Sequence, residues 1–400
     1  MEFDFVVIGG GVVGMAIARE LKNQIKDSKI AVIEKESHLA AHASGRNSGV
    51  LHAGFYYSPD SLKAKLTRDG NRLLRQYCLT NGLALIECGK VVVAQDTSQI
   101  PALEKLYSQG KQNGVELELV DEKRLQELEP FAKTHQLALW SPSTAVADPK
   151  QVAQALEKDL ISLGVSILTN SPVERVEIGK LRTKTGQEIR FKHVINASGL
   201  YSDRIAKKMG FGSKYTMLPF IGLYHYAPEL KGTLKRHIYP VPDARNPFLG
   251  VHFTRTAFDD LKVGPTAIPV LSREQYAALQ GLNLGEFAEI LANYPRFFFS
   301  KNHDVVSLMR TELPKLSRRY LLAKAHELSD RIDVSKFIKP GKPGIRAQLF
   351  DKSIAKLEMD FVIEGDSNST HVLNAVSPGW TTCLSFAEYV VADMKKRKAI

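Results

Sequence analysis

At 400 residues, with 44% hydrophobic and 24% charged side chains, the chain has the composition of a globular protein of two or three domains, not a disordered or fibrous one. No apolar run approaches the roughly 18 residues of a membrane span, and the three cysteines, Cys78, Cys88 and Cys383, form no CxxC, which argues against a disulfide or metal framework and suits a reducing cytoplasm. Lysine and arginine exceed aspartate and glutamate by 54 to 43, a net charge of +11 compatible with acidic substrates, an anionic membrane face, nucleic acid or a solvated basic surface.

The chain opens on a core strand, Phe5-Val6-Val7-Ile8, where a secretory or transit leader would carry a different pattern, so a cytoplasmic location is expected. Gly9-x-Gly11-x-x-Gly14 follows, and then an amphipathic helix. In a dinucleotide turn the first glycine makes the tight bend, the second admits a pyrophosphate and the third lets the helix pack on the strand. Val12 and Val13 open that helix, whose free N–H groups and dipole favour phosphate. A second strand, Ile30 to Ile33, ends in Glu34 and Lys35 about twenty residues on, where a carboxylate accepts hydrogen bonds from a ribose.

The segment His38 to Gly54 reads as a loop, rich in small residues yet apolar at its end, and therefore as buried backbone lining a ligand. Helices are expected over 61–81, 151–164 after Asp148-Pro149, and 202–209, with exposed helices of an insertion over 98–114 and 122–128. Short strands are expected over 165–168, 173–177, 180–183 and 188–191, ahead of a buried strand at 193–196 that ends in Ala197-Ser198-Gly199. From 216 to about 262 the chain is strand-rich, 284–293, 302–313 and 316–328 look helical, and Pro378-Gly379-Trp380-Thr381 precedes a final helix. No internal repeat is present, so the dinucleotide domain is expected to be discontinuous.

The order of these pieces resembles the FAD-dependent oxidoreductases of the D-amino-acid oxidase and glycerol-3-phosphate dehydrogenase superfamily. Within it the chain is similar to the L-2-hydroxyglutarate oxidases and dehydrogenases. Four stretches carry the likeness: Gly45 to Tyr57, Ile238 to Asp243, Phe248 to Thr254 and Gly344 to Gln348. Trp380 departs from the small residues expected in that part of the subfamily. The resemblance implies an α/β fold: a discontinuous Rossmann-like FAD-binding domain (1–90, 145–215 and 335–400) and an inserted α+β substrate domain (91–144 and 216–334) on a mainly antiparallel sheet. It also implies non-covalent FAD, preferred over NAD because there is a single GxGxxG and the later stations suit a long, extended cofactor.

The cofactor residues so implied are Gly9, Gly11, Val12, Val13, Gly14, Glu34, Lys35, Ser44, Arg46, Asn47, Ser48, Val173, Ala197, Gly199, Gly344, Gly379, Trp380 and Thr381, with no metal. A helix starting at Thr381 would direct its N-terminus at the flavin edge that gains charge, favouring the reduced state by about 0.3–2 kcal/mol. For a hydroxy acid, a histidine near pKa 6.5 suits removal of the hydroxyl proton. His52 is the first candidate base, although it could equally bond the flavin. His252 is the second, and His225 reads as structural. A small dicarboxylate hydroxy acid needs cations or donors at both ends, which points to Arg346, with Tyr57 and Tyr239 as hydroxyl donors.

The implied reaction oxidises L-2-hydroxyglutarate to 2-oxoglutarate and passes electrons to quinone or oxygen. An amine, amino-acid or glycerol-3-phosphate oxidase of the same superfamily is the alternative. An RNA-modifying flavoprotein is disfavoured because the basic residues form no stripe with interleaved aromatics, so no nucleic-acid partner is expected. The closest basic cluster, Lys395-Lys396-Arg397-Lys398, allows a peripheral contact with an anionic membrane surface at the cytoplasmic face. If charge holds the protein there, high salt should release it from membrane pellets, and retention at high salt would count against an electrostatic contact.

Overall fold

In the computed structural model, which describes residues 1–242, 248–277, 280–298 and 310–400, the first strand, Glu2–Ile8, forms the centre of a parallel sheet. It pairs with Ile30–Ile33 on one side and Glu188–Asn196 on the other, with Val7 opposite both Val32 and Ile195. Ser166–Leu168 and Ser369–Asn374 lie outside these two, which gives five parallel strands. Runs of β-branched residues buried on both faces suit such a sheet, because helices cover it. Helices Val12–Gln24, Pro149–Ser162 and Cys383–Lys396 pack one face with Met15, Leu156, Phe386 and Val390 in the core. The other face meets Val176, Leu181 and Ile205.

Local chemistry accounts for where the helices begin. Asp148 accepts from the N–H groups of Lys150 and Gln151 at 3.1 and 2.8 Å, with Pro149 at the first position. Ser61 caps Leu62–Thr80 through the N–H of Ala64.

A second, eight-stranded sheet runs in the order Lys339–Pro340, His225–Ala227, Leu261–Gly264, His252–Arg255, His237–Pro240, Lys90–Val93, Leu137–Ser141 and Glu118–Asp121. Every neighbouring pair is antiparallel except Lys90–Val93 with His237–Pro240. A four-stranded sheet built on Tyr215–Gly222 and Gly344–Asp351 joins the two halves.

Several details differ from the sequence reading. The loop at 38–54 contains a 3-10 turn, Ala43–Gly45, and a strand, Val50–Leu51, because its apolar end finds ladder partners in Ala145–Ala147. Residues 188–196 form one continuous strand. The helix expected over 98–114 begins as a 3-10 turn, and both insertion helices bury an apolar stripe, Leu103 and Leu106 in one, Leu125 and Leu128 in the other. The helix expected over 316–328 is shorter, Arg318–His326, and follows a 3-10 turn at Leu313–Leu316 with Ser317 extended between them. Most of the helix expected over 302–313, and Asp243, lie outside the described residues. The boundary drawn at 335 cuts a sheet, since Gly344–Asp351 pairs along its whole length with Tyr215–Gly222. All three cysteines are buried thiols, as expected for small apolar residues.

Two core histidines make the fold sensitive to acid. His193 bonds the Ser367 carbonyl and the Thr370 hydroxyl, and His371 lies against Ser369 and Asn196. Burial holds both imidazoles near pKa 4, against about 6.5 in the unfolded chain. Below about pH 6.5 the unfolded chain therefore binds protons that the native state refuses. The stabilisation is complete above that pH and is lost as pH falls toward 4, by up to about 1.4 kcal/mol per pH unit for each group. Urea midpoints should drop between pH 7 and pH 5, and His371→Gln should flatten the dependence. A midpoint constant over that range would contradict the assignment.

Candidate functional site

The site begins where the first strand ends. Gly9 takes φ +113°, and a Cβ there would collide with the Ala197 carbonyl on the neighbouring strand end. A Cβ at Gly14 would strike the Gly9 carbonyl, so the helix starts directly on the turn. At Gly11 a Cβ would come within 3.0 Å of Ser44 Oγ, which accepts from the Val12 N–H at 3.0 Å. Glu34 is buried, and its two oxygens accept from the N–H groups of Gly10 and Glu36 at 2.8 and 2.9 Å. Each oxygen keeps a lone pair for a further donor.

From this turn a cavity of about 710 Å³ runs across the carboxyl ends of the parallel strands, within the size range of cofactor sites. Of the residues expected to bind cofactor, Gly9, Gly11, Val12, Val13, Glu34, Lys35, Ser44, Arg46, Asn47, Ser48, Val173, Ala197, Gly199, Gly344, Gly379, Trp380 and Thr381 line it. Gly14 lies behind the turn. His52 and Arg346 line the same cavity, whereas His252, Tyr57 and Tyr239 do not.

Several of these side chains are engaged with the protein itself. Asn47 bridges the loop, donating to the Ser44 carbonyl and accepting from the Gly49 N–H, both at 2.8 Å. Arg46 donates to the Ala41 carbonyl and stacks over Tyr276 at 4.2 Å. Lys35 pairs with Glu36 and, at 2.6 Å, with Glu274, and contacts His42. Its ammonium thus already supplies a cation to the Glu36–His42–Glu274 group, which has metal-ligand geometry. His252 is sandwiched against Tyr239 at 3.7 Å and spends Nδ1 on the Gly250 carbonyl at 2.8 Å, because its strand is interior to the second sheet. Tyr239 is buried and Tyr57 half-buried, and burial raises the pKa of both phenols. The final helix starts at Cys383, two residues later than expected, with Gly379-Trp380-Thr381 forming the turn before it.

His52 has the most distinctive setting. Its backbone is clamped from both sides: the N–H donates to Thr381 Oγ1 at 3.2 Å, and the carbonyl accepts from Asn71 at 3.2 Å. Its Nδ1 is buried with no partner among the described residues. Burial, reinforced by the charge of Lys90, pushes the imidazole down to about 3, so it is neutral at physiological pH. Lys90 is wholly buried among the rings of Phe55, Tyr56 and Tyr239, at 4.6, 4.4 and 4.7 Å from the three centroids. Among the described residues its ammonium has no hydrogen-bond partner, and burial lowers it to about 7.

The sequence reading missed Lys90, Lys262 and Tyr224. Each lysine sits in a run of strand-forming apolar residues, Lys90-Val91-Val92-Val93 and Leu261-Lys262-Val263, and a lone charge in such a run was the available signal.

These residues fit FAD. The glycine turn leaves the space a phosphate backbone contact needs, the cavity extends from Glu34 to Trp380, and the Trp380 Nε1 is a buried donor with no partner among the described residues. The model of the FAD dependent oxidoreductase family matches residues 4–393. The chain is 34% identical to the mitochondrial L-2-hydroxyglutarate dehydrogenase of Bos taurus, covering 99% of this chain and 89% of that one. It is also 34% identical to an L-2-hydroxyglutarate dehydrogenase of Escherichia coli, covering 98% and 93%. Among solved structures it shares its fold with the L-alpha-glycerophosphate oxidase of Mycoplasma pneumoniae with FAD bound, at TM-score 0.80 and 21% identity over 99% and 95% of the chains. The glycine oxidase of Geobacillus kaustophilus superposes at TM-score 0.74 and 18% identity, over 99% and 95%.

Because Gly9 combines a positive φ with backbone contact, Gly9→Ala should weaken FAD binding by at least about a hundredfold, an effect of about 3 kcal/mol. Titration of the apoprotein with FAD by fluorescence quenching reads this directly. An alanine variant that purifies with a full complement of flavin would refute the close-approach role.

Proposed function

The chain belongs to the FAD-dependent oxidoreductase family, and from that premise we propose that it oxidises L-2-hydroxyglutarate to 2-oxoglutarate and passes the electrons to a quinone or to oxygen. The observation that carries the reading is the placement of His52 and Arg346 on one cavity in a chain related end to end to L-2-hydroxyglutarate dehydrogenases. FAD, when bound, supplies the hydride acceptor for the carbinol carbon.

The protein's own task is then to hold the acid and take the hydroxyl proton. Arg346 donates one N–H to the Thr266 carbonyl at 3.2 Å and lies 5.4 Å from the Phe248 ring, which fixes its plane and leaves donors for a substrate carboxylate. His52 lines the cavity and carries a neutral imidazole whose buried Nδ1 has no partner among the described residues, and in this reading the ring accepts the hydroxyl proton as the C–H bond is broken. Its rigid backbone, held by Thr381 and Asn71, keeps the ring in place, and the closed aromatic packing around Lys90 excludes water behind it.

Anaerobic addition of L-2-hydroxyglutarate to the yellow holoprotein should bleach the flavin, while the D isomer should not. Absence of bleaching would remove the substrate, and bleaching by glycine, sarcosine, D-amino acids or glycerol 3-phosphate instead would reassign it within the family. Reoxidation by air or by a soluble quinone separates the acceptors. In the same assay His52→Gln should slow bleaching by about 10²–10⁴-fold with flavin content unchanged, as expected for loss of a general base. An unaltered rate would return His52 to a structural role.

A further inference from the structure

Lys35 and Glu36 at the end of the second strand, and His42 and Arg46 in the loop that follows, are held by a segment from the far half of the chain. Lys35 pairs with Glu274 at 2.6 Å. His42 contacts the same carboxylate at 3.6 Å through Nε2, and its Nδ1 shares a hydrogen bond of 2.7 Å with the Tyr276 hydroxyl, although the two residues are 234 positions apart. The Tyr276 ring stacks on His42 with centroids 5.9 Å apart, and the Arg46 guanidinium covers it at 4.2 Å. Beside Glu274, the buried Arg273 anchors the segment: its guanidinium pairs with Asp203 at 2.7 Å and its N–H donates to Glu286 at 2.9 Å. All of this surrounds the ribose end of the cavity. Glu36 donates its N–H to Glu34, the carboxylate placed to receive a ribose, and Glu34, Lys35, His42, Arg46 and Glu274 line the cavity together. Tyr276 does not line it and acts through His42 and Arg46.

We propose that Glu274 and Tyr276 are positioning residues for the cofactor, latching the segment Ser272–Tyr276 onto Lys35, His42 and Arg46 and so retaining FAD. The inference rests on the FAD assignment of the cavity and is independent of which acid is oxidised. Lysine and arginine side chains lose rotamer freedom when they meet a ligand, and contacts that hold them in place beforehand remove that cost from binding. Lys35 stands between two carboxylates, Glu36 and Glu274, so its ammonium is fixed from both sides. For a cofactor held without a covalent bond, the loss of such contacts is read chiefly in the dissociation rate. The side chains of Lys35 and Glu274 are 29% and 25% exposed, so salt reaches the pair and weakens it.

The test follows release of FAD from diluted holoprotein as the rise of free-flavin fluorescence. Glu274→Gln and Tyr276→Phe should each speed release by about tenfold, whereas Glu127→Gln, which removes a surface pair with Arg124 outside the cavity, should leave it unchanged. Because Glu274 acts through Lys35, Glu274→Gln should add less than about twofold on a Lys35→Met background. Wild-type release should quicken severalfold between about 50 mM and about 1 M sodium chloride, and Glu274→Gln should lose most of that increase. An unchanged release rate in either single variant, full additivity of Glu274→Gln with Lys35→Met, or equal salt acceleration in wild type and Glu274→Gln would overturn the latch. Flavin that is not reduced by L-2-hydroxyglutarate would refute the proposed reaction, while the release rates would still decide the latch.

Discussion

The contact on which the site depends is backbone against backbone, where Gly9 at the end of the first strand meets the Ala197 carbonyl at the end of its neighbour. A side chain there would spread the two strand ends apart. Because none is present, the start of the helix Val12–Gln24, the Glu34 carboxylate and the Ser44 hydroxyl converge on one small volume. In an open parallel sheet, ligands bind beyond the carboxyl ends of the strands, and the long cavity here runs along that edge.

The loop at 38–54 carries this geometry to the second half of the molecule. Its strand Val50–Leu51 is paired, His52 is tied to Thr381 and Asn71, and Ser48 is held by Lys262. A Cβ at Gly344 would collide with the Arg46 carbonyl, so the strand that carries Arg346 rests on the loop backbone. Cofactor loop, candidate base and candidate carboxylate anchor are therefore one packed unit, and displacement of any part would be transmitted to the others.

The interior charges divide into two kinds. Arg273 is fully buried but paired with Asp203 at 2.7 Å and Glu289 at 2.9 Å, so its charge is compensated. Lys90 and Lys262 are buried to a similar degree without a bonded acid among the described residues, and burial depresses both. Burial keeps the His52 imidazole neutral, and the charge of Lys90 adds to the effect.

The glycine spacing, the strand that precedes it and Glu34 determined the dinucleotide turn from sequence alone, because each requirement is local: a bend, a close approach and an acid at a strand end. Asp148-Pro149 marked its helix for the same reason. The choice among histidines was not local. His52 and His252 have similar apolar neighbours in the chain, yet one borders the cavity with a free nitrogen and the other is stacked on Tyr239 behind it. Strand pairing set the remainder, since the ladder between Tyr215–Gly222 and Gly344–Asp351 brings Arg346 to the cavity, and the fold leaves the Lys90 ammonium without a partner among the described residues. Charge compensation depends on distance in space, which residues far apart in the chain acquire only when the sheets assemble.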